Sequence, residues 1–295
     1  MGKLEKYPFL ILIFGVLGIS LSAIFVRLSD APSVVTATSR LLWTVLLMSP
    51  MVFGNRTYRK ELAGLSIAQW IKSIISGVFL AFHFALWFES LLRTSVASST
   101  AIVCTEVIWV ALGYCIFMKG RLSRKAIFSI ALAMTGSVVI AFSDSMGGEA
   151  HLYGDLLSAV SAMAISVYIL LGKSLRETMT ATVYTYLVYA ACSVTLVMLT
   201  AGQGYSVSDF TPSALLSGLL LGVFSTILGH SIFSWCLKYF SPAFVSASKL
   251  CEPVVAALVA AIVFAEIPKP LQIVGGIIVI IGVYLYSKEE RKKEQ

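Results

Sequence analysis

The chain runs to 295 residues, of which 58% are apolar and only 13% charged, with a formal net charge of +7. Soluble domains carry about 25% charged residues, so this chain has too few to coat a water-facing surface, and a water-soluble enzyme or scaffold is excluded. The positive balance does not mark a nucleic-acid binder, because its bases are confined to short segments between long apolar runs.

In chain order the apolar runs predict spans at 8–28, 33–53, 70–92, 96–118, 123–143, 152–172, 180–200, 213–236, 243–265 and 270–287. Each is about 20 residues, enough to cross a hydrocarbon core about 30 Å thick. The runs are continuous rather than alternating, which favours helices over barrel strands. The fold class is therefore an all-α integral membrane protein with ten transmembrane helices. The short charged start Lys3, Glu5, Lys6 leads straight into the first span, which is expected to remain as an anchor. Cys104, Cys115, Cys192, Cys236 and Cys251 fall inside apolar runs without C-x-x-C spacing and read as buried thiols.

With the N-terminus in the cytoplasm, seventeen Lys and Arg residues fall on the inner side, among them Arg56, Arg59, Lys60, Lys119, Arg121, Lys288 and Arg291. The outer side holds only Arg27, Arg93 and Lys269. This positive-inside bias puts both termini in the cytoplasm, and compactness without targeting segments gives a multi-pass protein of the cell inner (plasma) membrane as the expected location.

Shifting the chain by 146 residues lays its middle on its end, with nine identities between 95 and 136. Most are small or apolar; the pair Glu106/Glu252 is the informative one. Gly77-Val78-Phe79 also matches Gly222-Val223-Phe224 with a one-residue slip. The chain thus divides into units 1–146 and 147–295 of five helices each, and an odd helix count forces the second to cross in the opposite sense. Such inverted repeats enclose a central site that two packings open to opposite sides in alternation.

The run Cys251-Glu252-Pro253-Val254-Val255, then Phe264-Ala265-Glu266, then Gln272-Ile273-Val274-Gly275-Gly276 and Gly282 resembles the EamA domain of the drug/metabolite transporter superfamily. Ser39-Arg40 in the second span stands where these domains carry an Arg. The resemblance implies two EamA units in ten helices around a central cavity, with spans 5 and 10 peripheral. It also implies export of amino acids or other small metabolites. The first unit departs from the pattern, with Val107 where the second has Pro253 and Gly120 where it has Glu266.

Ionisable groups at membrane depth are function candidates by default. They are Arg40, His83, Glu106, His230, Lys249 and Glu252. Lys249 and Glu252, spaced i, i+3, can meet on one helix face, either as an ion pair that fixes packing or around a carboxylate that exchanges a proton or holds an amine. Pro253 clashes with the carbonyl of Lys249 and predicts a kink, whether for packing or for ligand binding. His83 and His230 are proton-shuttle or structural histidines, and Arg40 is a carboxylate clamp or an interhelical tie. Trp43, Trp87, Trp109, Trp235 and Tyr168 offer aromatic walls or plain lipid-facing and core surface. Trp109 leads them, being i+3 from Glu106. Glu89 and Arg93 read as a surface pair.

No phosphate loop, metal-spaced cluster or Gly-x-Ser-x-Gly elbow is present, so no cofactor, metal or catalytic residue is expected. The reading is a secondary transporter that exports a small amphiphilic solute by alternating access, with protons as the coupling ion. Its partners are the solute and the bilayer, not nucleic acid. The rivals are a facilitator or exchanger without proton coupling and, more remotely, an intramembrane lipid-modifying enzyme.

Overall fold

The computed structural model describes residues 7–94, 96–145, 152–264 and 269–292. Among them all regular structure is helical. In order these are α1 (Pro8–Ser20), α2 (Ser22–Arg27), α3 (Ser33–Gly54), α4 (Arg56–Ala63), α5 (Ile67–Arg93), α6 (Val96–Val103), α7 (Glu106–Phe117), α8 (Arg124–Ser145), α9 (Leu152–Leu175) and α10 (Ala181–Gly202). There follow α11 (Pro212–Leu220), a π-helical stretch Leu221–His230, α12 (Ser231–Cys236), α13 (Pro242–Ser248), a 3₁₀ turn Lys249–Cys251, α14 (Glu252–Phe264) and α15 (Pro270–Arg291).

Helix starts follow sequence punctuation. Ser66, Thr180, Thr211 and Ser241 each cap with a side-chain oxygen that accepts an amide of the first turn. Pro8, Pro212, Pro242 and Pro270 occupy first-turn positions, where the missing N–H costs nothing.

Among the described residues, eight helices are long and apolar enough to cross a membrane. Two expected spans are not among the eight. Arg124–Ser145 is one helix of 22 residues, with several side chains near its end outside the described set. The stretch from Pro242 to Phe264 is broken into short pieces by the turn at Lys249–Cys251. One element was not expected: α4 has no buried residue and is too short and too polar to read as a span.

In the interior α5 packs on α9 and α10, α3 on α10 and α11, α1 on the π-helical stretch and α12, and α7 on α9. Outside these, α8 lies along α15. A Cβ on Gly136 would stand 2.6 Å from the Gly275 carbonyl oxygen, so the two backbones touch. Only 28% of the apolar window of α15 is buried, against 44% or more in the other seven, as for a helix at the lipid edge.

Polar contacts gather the connections at two ends. At one, Glu61 accepts from the Thr180 amide (2.7 Å), Ser123 donates to Glu289 (3.3 Å), Lys173 donates to the Leu237 carbonyl (2.8 Å), and Glu290 accepts from the Ser241 amide (2.6 Å). At the other, Thr211 donates to Asp30 (2.6 Å), Ser33 donates to Glu89 (2.7 Å), and Arg93 lies over the Tyr153 ring (5.9 Å).

Candidate functional site

Two helices are interrupted at positions related by the 146-residue shift, and each restarts on a glutamate. In the second half the cause is Pro253, which lacks an N–H and crowds the Lys249 carbonyl. The backbone tightens into the 3₁₀ turn, where the Glu252 amide donates to that carbonyl, and the Cys104 thiol approaches it at 3.9 Å. The first half breaks without a proline. The Thr105 amide donates to Ile102 (3.0 Å) and the Ile108 amide to Thr105 (2.9 Å), an i→i+3 pattern between α6 and α7.

These breaks bring Glu106 and Glu252 to one small cavity, shared with His83, Trp87, Cys104, His230 and Lys249. Lys249 does not pair with Glu252 as its spacing suggested. Both line the cavity, and the ammonium reaches across to Glu106 instead, with Nζ 3.0 Å from Oε1. Ser246 donates to the same oxygen at 2.9 Å, and Lys249 also lies 5.4 Å from the Phe233 ring. The pair is buried, and charges taken out of water persist only where partners replace it. Glu252 is 8% exposed and has no hydrogen bond or ion pair among the described residues.

The histidines close another wall. His83 Nδ1 shares a 2.8 Å hydrogen bond with Ser161 Oγ, and its ring stacks on Trp87 at 6.0 Å. The His230 ring lies 6.5 Å from His83 and 6.3 Å from Tyr168, whose hydroxyl shares a 2.7 Å hydrogen bond with Ser234. His230 ends the π-helical stretch, a distortion frequent where helices carry function. A Cβ on Gly18 would stand 2.7 Å from the Phe224 carbonyl oxygen, so α1 presses directly on that stretch.

Arg40 is fully buried one layer away. Its Nε donates to Thr226 Oγ1 at 2.7 Å and its guanidinium lies 4.1 Å from the Phe84 centroid. Its two terminal nitrogens have no hydrogen-bond partner among the described residues. Trp109 does not join the cluster: it is 40% exposed on the outside of α7. Both lie on α7, but Glu106 is buried at its first position while Trp109, three residues on, is turned out of the interior. The aromatic at the cavity is Trp87, legible only as i+4 from His83. Trp43 donates to the Leu215 carbonyl (3.0 Å), and Trp235 packs on Tyr239.

The sequence did not single out Tyr184 and Tyr189, which are fully buried and hydrogen-bond Ser76 and Ser231, each at 3.0 Å. Cys104, Cys192 and Cys236 are buried as expected, but Cys115 is exposed and Cys251 half-buried. Glu89 and Arg93 form a 2.9 Å pair near the surface. Glu266 lies outside the described residues.

The central cavity is far smaller than a solute, about 30 Å³, room for one or two waters. The Glu106–Lys249 bridge draws the broken helices together and leaves little space between them. No group of three His, Cys, Asp or Glu side chains among the described residues is placed to hold a metal ion.

Residues 152–288 match the model of the EamA-like transporter family. The match spans most of the second half of the chain. An uncharacterized transporter of Archaeoglobus fulgidus is 24% identical over 258 residues, covering 84% of this chain and 86% of its own. A probable amino-acid metabolite efflux pump of Salmonella typhimurium is 26% identical over 184 residues, 59% of this chain and 61% of its own. A probable terminal-alkyne amino-acid exporter of Streptantibioticus cattleyicolor is 28% identical over 176 residues, 59% and 58%. A crystal structure aligns over 98% of this chain and 99% of its own with a TM-score of 0.74 at 17% identity, a likeness of fold. Eight helices long and apolar enough to cross a membrane, beside the match to a transporter family over its second half, make the chain a multi-pass membrane protein.

Proposed function

We propose that the protein is a secondary exporter of amino acids or related amphiphilic solutes, working by alternating access and coupled to protons through Glu252. The observation that carries this reading is the buried cluster Glu106, Lys249 and Glu252 at two neighbouring helix breaks. A group of both signs, shielded from lipid, suits a zwitterion, and ionisable side chains at such depth are expensive unless they work. Glu252 is the member left without a hydrogen-bonding partner among the described residues, hence the one freest to exchange a proton. The amino-acid exporters among its relatives support the substrate class.

The contact pattern supports ten helices in two inverted units, 1–146 and 147–295. Under the shift, α5 on α9 corresponds to α12 and the π-helical stretch on α1, and α10 on α5 to α11 on α3. The contacts α3–α10 and α8–α15 map onto themselves. Arg291, near the end of α15, lies 4.3 Å from the Phe9 ring at the start of α1, which supports termini on one side of the inner membrane. The Lys and Arg excess makes that side the cytoplasm.

A cavity this narrow holds no solute and reads as a state between the two openings. Solute entry then requires the Glu106–Lys249 bridge to part, the solute's own ammonium and carboxylate replacing the lost partners. His83, His230, Arg40 and Tyr168 form the surrounding polar layer, and Trp109 is left to the lipid face.

The test is counterflow of labelled amino acids in proteoliposomes. An inward proton gradient should accelerate efflux by wild type and not by Glu252→Gln. Unchanged pH-driven transport in the variant removes Glu252 from coupling. Wild-type transport indifferent to the gradient selects a facilitator or exchanger.

A further inference from the structure

On the outer flank of the molecule, α1, α14 and α15 border a groove of about 510 Å³ that no transport step above uses. Its walls are almost entirely apolar, including Leu12, Ile13, Val255, Leu258 and Ile280. One end differs: there the last turns of α15 place Lys288 and Arg291 at the rim. The Lys288 ammonium sits 4.7 Å from the Tyr284 ring and the Arg291 guanidinium 4.3 Å from the Phe9 ring. Both side chains lie along aromatic surface with their charged ends exposed.

The neighbouring acids do not line the groove. Glu289 accepts from Ser123 (3.3 Å), and buried Glu290 accepts from the Ser241 amide (2.6 Å). A second groove, of about 610 Å³ beside α1 and Trp235, has no charged residue in its lining and provides a contrast within the same molecule.

We propose that this groove is a binding site for one anionic phospholipid, its acyl chain along the apolar walls and its phosphate between Lys288 and Arg291. Basic residues at the end of a membrane helix, above a cleft between helices, match the charge and shape of such a lipid. The site sits beside the turn Lys249–Cys251, since Ser248 and Cys251 also line the groove. A bound lipid there touches the back of the broken helix that carries Glu252. The assignment stands whether or not the transport reading does.

The test is exchange of the purified full-length protein into detergent with equimolar dioleoyl phosphatidylglycerol and dioleoyl phosphatidylcholine, followed by mass spectrometry of the retained lipid. With each cation contributing a few-fold, wild type should prefer phosphatidylglycerol by about 30-fold, Lys288→Gln and Arg291→Gln should each lose about five-fold, and the double variant should lose the preference. Lys238→Gln, an exposed base outside the groove, should keep it. Leu258→Trp, which fills the acyl path and leaves both cations, should lower total retained lipid. The idea is overturned if wild type retains the two lipids equally, if Lys238→Gln loses as much as Lys288→Gln, or if soluble glycerol phosphate competes the lipid away. The single variants decide the matter even if the double variant does not fold.

Discussion

Removing one partner of the central ion pair should cost far more than removing both. Nζ of Lys249 and Oε1 of Glu106 are 3.0 Å apart, with side-chain exposures of 7% and 5%. At an effective dielectric near 20 their attraction is about 5 kcal/mol, and desolvation of the two ions offsets much of it. The net worth of the intact pair is therefore small. A single Lys249→Met leaves the Glu106 carboxylate buried with only Ser246 as a neutral donor, and Glu106→Gln takes from the buried ammonium the one carboxylate in contact with it among the described residues, with Glu252 elsewhere on the cavity wall. Either should lose about 3–5 kcal/mol, whereas Glu106→Gln/Lys249→Met should come within about 1–2 kcal/mol of wild type. The assay is denaturant unfolding in one detergent for all four proteins, read as a double-mutant cycle. Additive losses, or single losses below about 1 kcal/mol, would refute the claim that this bridge is a desolvated pair joining the two helix breaks.

Other consequences are more local. Thr226→Val removes the acceptor of buried Arg40 Nε and should destabilise by about 1.5–3 kcal/mol in the same unfolding assay, while Thr226→Ser should not. Gly136→Ala forces α8 off α15 and should cost about 1–3 kcal/mol. Gly202→Ala, where a Cβ meets nothing within 4 Å, should be nearly silent. Asp30, in the loop after α2, accepts from Ser213 and Thr211, which hold its carboxyl below the ordinary 3.8. A lowered folded value means this tether is present above the ordinary value and lost as pH falls through the lowered one. The protection factors of the residue 28–31 amides, with the intrinsic exchange rate at each pH divided out, should therefore hold at pH 5 and fall in strong acid, and Asp30→Asn should abolish that change in protection.

The membrane class and most helix positions were legible because a lipid solvent demands long apolar runs, whatever the tertiary arrangement. Helix starts at Ser66, Thr180 and Ser241 were equally local, since a cap needs only its own first turn. The break at Pro253 could be read from the proline. Its partner at Thr105 could not, because no residue there forbids a helix and the tight turn forms only against its neighbours. The same limit governed the site. The deep Arg40, His83, Glu106, His230, Lys249 and Glu252 stood out by their desolvation cost, but one-dimensional spacing paired Lys249 with Glu252 and favoured Trp109. Contacts between residues more than 140 positions apart reassigned the lysine to Glu106, and the cavity took Trp87 instead.

Composition and order along the chain were enough to establish solvent, helix class and the set of ionisable residues that need an explanation, because each depends on transfer free energy or local backbone chemistry. Which of those charges neutralise one another, how small the space between them is, and where a groove lies under Lys288 and Arg291 were decided by the packing of α1, α7, α13, α14 and α15. Distances of a few ångströms between helices depend on how side chains from distant parts of the chain interlock, and linear spacing holds no record of that.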